Sequence, residues 1–136
     1  MSIEIIEKKI ARILEYVNTL EGMQENCVQR MKQDKIYRGS VMYYLYMMAD
    51  SCVALAEMMI RKKDLPRPQS YSEAIDILGE HAILPEDFAY DFSRIAGFRN
   101  FLAHDYEKVD YEEICKIMLT KLEEVKKYLE LVKDNL

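Results

Sequence analysis

From Ile3 onward the chain repeats one pattern: apolar residues recur three or four positions apart, at Ile3, Ile6, Ile10, Ile13, Val17 and Leu20. That spacing lays a stripe along one face of an α-helix, whereas a strand would need alternation at every second residue. The pattern returns at Val41, Leu45, Met48, Cys52, Leu55 and Met59. It returns again at Ile114, Met118, Leu122, Val125, Leu129 and Val132. Only 4 glycines and 3 prolines are available to break it in 136 residues. The expectation is all-α: an antiparallel bundle of four to five helices with short connections, filling residues 1–136 as a single domain.

Local signals divide the chain. Helix one is expected from about Ser2 to Met31, with Gly22 a weak point and the charged stretch Arg30 to Lys35 a turn. Helix two, about Tyr37 to Arg61, is apolar beyond one stripe, because Met42, Tyr43, Tyr44, Tyr46 and Met47 fill its other faces. Such a helix needs cover on more than one side, from its own bundle or from a second subunit. Pro66 and Pro68 then hold the chain extended. Ser70 or Ser72 suits the cap of a third helix, with Glu73 placed as in a capping box, and that helix ends near Gly79. A fourth helix starts at Pro85, with Glu86 and Asp87 at the positive end of its dipole, and runs through Leu102. The last spans about Tyr111 to Lys133.

Composition excludes several function classes. With 19 basic against 24 acidic residues the net charge is −5, so a nucleic acid would have to be met by a local site, not by a global positive field. The N-terminus lacks an uncharged apolar run of signal-peptide length, and the longest apolar stretch, Val41 to Ala49, is too short to span a bilayer. The expected location is the cytoplasm, with no membrane association. Cys27, Cys52 and Cys115 are odd in number and lack CxxC spacing, which reads as free, reduced thiols. Two histidines and scattered cysteines offer no zinc site. Neither histidine has Glu three residues before it, so a carboxylate-bridged di-iron bundle falls too. Gly-rich phosphate loops and nucleophile elbows are absent. No metal and no cofactor is implied.

One polar cluster remains, GFRNFLAHDY, from Gly97 to Tyr106. On one continuous helix, at about 100° per residue, Phe88, Phe92, Ile95, Phe98 and Leu102 share an arc with Arg99 at its edge. Asn100 and His104, four apart, share a second face. That face is flanked by Ala89, Ser93, Ala96, Gly97 and Ala103, small residues that let another backbone come close. If the neighbour is a symmetry mate, its Arg99, Asn100 and His104 would face these across a shared cleft. Structural readings stand beside this one. On these, Arg99 is a snorkelling or ion-paired residue, His104 a dipole-favoured cation at a helix end, and Asn100 the cap of a turn.

RNFLAHDY resembles the Arg-x4-His-x-Tyr signature of the HEPN superfamily, and of its HepT-like toxins in particular. The signature falls on Arg99, His104 and Tyr106, with Asn100 at the polar position after the arginine. The resemblance extends through LPRPQSYSEAIDILGE, PEDF, GFRN and VDYEEI, covering about Ile36 to the C-terminus and loosely the whole chain. It implies an all-α homodimer whose two motifs line one cleft. It also implies metal-independent RNA cleavage, in which a ribose 2′-hydroxyl attacks the adjacent phosphate. Residue chemistry fits those roles. His104 would move the proton, since imidazole exchanges one near neutrality. Arg99 offers a permanently charged fork to the phosphate, and Asn100 would orient His104 or donate to a phosphate oxygen. The resemblance further implies a minimal nucleotidyltransferase antitoxin as partner, which in some members transfers AMP to the motif tyrosine, here Tyr106. Two other classes compete: a non-catalytic helical partner that binds a nucleotidyltransferase or a nucleotide, and a purely structural dimeric bundle.

Overall fold

The computed structural model describes residues 1–104 and 108–136, and its secondary structure there is entirely helical. Among the described residues seven α-helices follow one another: α1 (Ile3–Glu21), α2 (Cys27–Gln33), α3 (Lys35–Lys62), α4 (Tyr71–Glu80), α5 (Glu86–Phe92), α6 (Ile95–His104) and α7 (Tyr111–Lys133). The all-α expectation holds. The helix number is higher than expected because two of the expected helices are each broken once.

The first break falls after Gly22. Glu21 closes α1, and Asn26 enters α2 with φ 55°, a left-handed conformation that asparagine tolerates better than most residues. The expected turn at Arg30–Lys35 shrinks to one residue. Asp34 ends α2 and caps α3, its Oδ1 accepting from the Ile36 and Tyr37 amides at 3.0 and 3.1 Å. The second break separates α5 from α6. Ser93 donates its hydroxyl to the Tyr90 carbonyl at 2.8 Å, and the Ala96 amide reaches Ser93 in a tightened turn. Local signals read correctly elsewhere: Ser70 Oγ accepts from the Glu73 amide at 3.1 Å, and α7 has the expected bounds.

Helix α3 is the axis of the fold. It packs against α1, α2, α4, α6 and α7, which answers most of its need for cover from within the chain. Within Val41–Ala49, four residues (Val41, Leu45, Met48 and Ala49) are buried. Met42, Tyr44, Tyr46 and Met47 are half-buried, and Tyr43 remains 55% exposed. Phe92 and Tyr128 meet in the core with ring centroids 4.5 Å apart. Burying a ring of that size contributes about 2–3 kcal/mol. The Tyr128 hydroxyl donates to the Cys52 carbonyl at 2.8 Å, so its polar end is satisfied. Gly79 sets the approach of α4 to α5, because a Cβ there would stand 2.5 Å from that of Ala89.

That contact corrects the small-residue face. Ala89 and Ala96 point inward and are buried, while Gly97 is exposed and Ser93 and Ala103 are half-buried. The break at Ser93 separates the two segments that a single helix would have kept in line. The apolar arc survives it: Phe92, Ile95 and Leu102 are buried, and Phe88 and Phe98 pack on the core.

The free-thiol expectation holds for Cys52, which is buried, and fails for the other two cysteines. Cys27 and Cys115 form a disulfide with Cα atoms 6.0 Å apart, joining α2 to the first turns of α7 across 88 residues. Spacing along the chain carries no signal of a pair that only helix packing brings together. Cross-linking so long a loop restricts the unfolded chain. Loss of the bond is expected to cost about 2–4 kcal/mol. Urea unfolding of Cys115→Ser, and of the reduced wild type, should show matching drops in midpoint; an unchanged midpoint on full reduction would contradict the bridge.

Candidate active site on helix α6

Helix α6 begins just after the Ser93 turn, so its phase relative to α3 is set by Ile95, Ala96 and Leu102, which are buried. That phase turns Arg99 onto α3. Its side chain is 17% exposed and donates from Nε to Asp50 Oδ1 at 3.0 Å. Nη2 donates to the Tyr46 hydroxyl and Nη1 to Asn100 Oδ1, both at 3.2 Å. The guanidinium also lies 5.4 Å from the Tyr46 ring centroid and 4.9 Å from that of Tyr71, the first residue of α4. Desolvation acts against its charge. The hydrogen bond to Asp50 and its carboxylate charge, with the neighbouring phenols of Tyr46 and Tyr71, outweigh it and hold the group above its ordinary pKa. Three of the five N–H donors of an arginine are thereby engaged, which leaves two for an incoming anion.

Asn100 and His104 are exposed, as their shared outer face requires. Asn100 spends its carbonyl oxygen on Arg99, so it is coupled to the arginine through a direct bond. No side-chain hydrogen bond involves His104 among the described residues. Arg99 and His104 are five residues apart, about 140° around the helix and about 7.5 Å along it. One chain therefore points its cation inward to α3 and its imidazole outward. Tyr106 lies outside the described residues. Among the described residues no group of three or more His, Cys, Asp or Glu is gathered closely enough to hold a metal ion.

Sequence reading missed the partners of Arg99. Asp50 carried a signal, as the one charged residue of α3 between Arg38 and Glu57, four after Tyr46. Its pairing with Arg99 depends on how α6 lies on α3. Also missed was a cleft of about 590 Å³ between the first half of α3, the end of α6 and the start of α7. Lys35, Arg38, Tyr43 and Tyr46 line its α3 side, with Leu102, Val109 and Tyr111 opposite. Arg38 is fixed there, donating to the Met31 carbonyl at 2.9 Å and the Tyr111 hydroxyl at 3.1 Å. No helix of the described residues is long and apolar enough to cross a membrane.

Comparison with known proteins agrees with this architecture. The mRNA nuclease HepT of Shewanella oneidensis is 23% identical over 130 residues, covering 96% of this chain and 97% of that protein. A tri-AMPylated Shewanella oneidensis HEPN toxin, solved in complex with an MNT antitoxin, superposes with a TM-score of 0.85 at 22% identity, covering 98% of this chain and 99% of the toxin. A Bacillus subtilis cytosolic protein of unknown function shares the fold at a TM-score of 0.81 and 16% identity, over 98% of this chain and 89% of its own. The family model described as ribonuclease HepT-like matches residues 6–132, nearly the whole helical bundle, and this chain belongs to that family.

Proposed function

We propose that this chain is the ribonuclease toxin of a toxin–antitoxin pair, cutting RNA without a metal ion and neutralised by a minimal nucleotidyltransferase. The observation that carries the reading is the state of Arg99 in a HepT-like chain: a charged, oriented guanidinium at the α3–α6 seam with two N–H donors left for an anion. The relatives support the class of partner and the modification, since one is an mRNA nuclease and another is an AMPylated toxin bound to its antitoxin.

In this mechanism the ribose 2′-hydroxyl attacks the neighbouring phosphorus and the 5′-oxygen of the next nucleotide leaves. His104 takes the hydroxyl proton or returns one to the leaving oxygen. Arg99 binds the phosphate and the charge that grows on it. Asn100 holds one Nη of Arg99 and is a positioning residue. Because Arg99 and His104 diverge around α6, one chain does not aim both at one phosphate. A homodimer that opposes two α6 helices supplies the missing geometry. Tyr44 and Met47 of α3, half-buried and outside the cleft, are apolar surface that such an interface would cover. The proposed place of action is the cytoplasm, where such an RNA substrate would be met.

The ion pair with Asp50 favours a second reading, a non-catalytic partner that binds a nucleotidyltransferase or a nucleotide, because a carboxylate beside Arg99 weakens its pull on RNA phosphates. Cleavage assays separate the two. Arg99→Ala and His104→Ala should each lower cleavage of structured RNA by about a hundredfold or more, with helicity retained. Activity should persist in EDTA, and the products should carry 2′,3′-cyclic phosphates; products with 5′-phosphates that require a divalent ion would refute the mechanism.

Sedimentation at micromolar concentration should give a dimer, and a strict monomer would remove the composite site. Tyr106, two residues beyond His104, is the proposed AMP acceptor. A nucleotide added there would bring negative charge to the motif and compete with RNA phosphates, as a phosphate switch would. Co-expression with the nucleotidyltransferase should add AMP mass that maps to Tyr106 and is absent in Tyr106→Phe; AMP on another residue would end this assignment.

A further inference from the structure

The cleft beside Arg99 has the chemistry of a nucleotide site. Three tyrosines, Tyr43, Tyr46 and Tyr111, are among the residues that line it. Its rim carries Lys35 and Arg38, two cations in a chain whose net charge is −5. Arg38 is held by the Met31 carbonyl and the Tyr111 hydroxyl, so its charge is already in place. Gly39, exposed, also lines the cleft, and a Cβ built there meets nothing within 4 Å, so the space beside it is open. Tyr46 ties this cleft to the candidate active site, since its ring faces the cleft while its hydroxyl accepts from Arg99 Nη2 at 3.2 Å. Aromatic walls with a basic rim are how proteins hold single-stranded nucleic acid, by stacking on the base and pairing with the backbone. A volume of about 590 Å³ is within the range of small-ligand pockets and accommodates one nucleotide.

We infer that this cleft binds one nucleotide of the RNA, stacking its base on the α3 and α7 tyrosines with Lys35 and Arg38 at its phosphate, next to the phosphate held by Arg99. RNA as the source of that nucleotide rests on the ribonuclease reading; the ligand class rests on the cleft. The site would favour single-stranded segments, because a base paired in a duplex cannot leave its stack to enter.

The test uses the full chain as purified, with 5′-AMP and 5′-UMP as probes and ribose 5-phosphate as the baseless control, followed by calorimetric titration. Both nucleotides should bind at least about tenfold more tightly than the control. Gly39→Leu places a side chain in the open space at this lining position and should weaken both nucleotides about tenfold, with its melting temperature and dimer retained. Lys35→Gln, at an exposed position, should weaken them by about threefold and act equally on the control, as a phosphate contact does. His104→Ala should leave nucleotide binding intact while RNA cleavage is lost, which separates this site from the catalytic step. Equal binding of ribose 5-phosphate and nucleotides overturns the proposal even if RNA is cut. A Gly39→Leu chain that turns monomeric also overturns it, by making the cleft a contact between copies. Nucleotide binding lost in Gly39→Leu, in a wild type that cuts no RNA, supports the ligand class and overturns the RNA assignment together with the ribonuclease reading.

Discussion

Burial of α3 on several sides is the constraint from which the rest of the arrangement follows. Thirteen of its 28 residues are buried, and no single neighbour covers more than one face of a helix. Helices α1, α2, α4, α6 and α7 must therefore all reach it. The two breaks, after Gly22 and at Ser93, let short helices turn back onto α3 where longer continuous ones would have overrun it. The disulfide then fastens the α2 side of that wrapping to α7.

This wrapping also explains why a charge sits at its seam. Where α6 meets α3, the apolar face of α3 is interrupted by Tyr46 and Asp50, and Arg99 fills the gap with hydrogen bonds to both. A guanidinium that is mostly desolvated would be costly alone; paired with a carboxylate and set against two tyrosine rings, it remains charged and oriented. The site is thus a product of the same packing that holds the fold. Its electrostatics are local: an oriented cation stands in a chain that is acidic overall. Asp50 offsets part of that attraction and makes Arg99 a directed donor more than a long-range lure.

The candidate site was partly legible in the residues themselves. The Arg-x4-His spacing marked Arg99 and His104, and the helical wheel placed Arg99 at the edge of a buried face and His104 on a second face open to a neighbour; in the structure Arg99 is largely buried and His104 is exposed. The wheel failed where it assumed one helix through Ser93, so the small-residue face it drew includes Ala89 and Ala96, which are interior. Asn100 was expected to serve His104 or the phosphate; the structure adds that its carbonyl accepts from Arg99. The basic, tyrosine-lined cleft gave no sign in any single segment, because its walls come from α3, α6 and the start of α7.

What the sequence by itself determined is local. The apolar stripes made the helices, Asp34, Ser70 and Asp110 capped them through their own side chains, and the motif put an arginine and a histidine five positions apart on one of them. Helix periodicity and capping act over three or four residues, so they can be read from the residues concerned. Only the tertiary structure decided that Cys27 meets Cys115 across 88 residues and that Arg99 meets Asp50 across 49. Those pairings depend on the angle and depth at which side chains of different helices interlock, a property of the assembled core that no stretch of sequence contains.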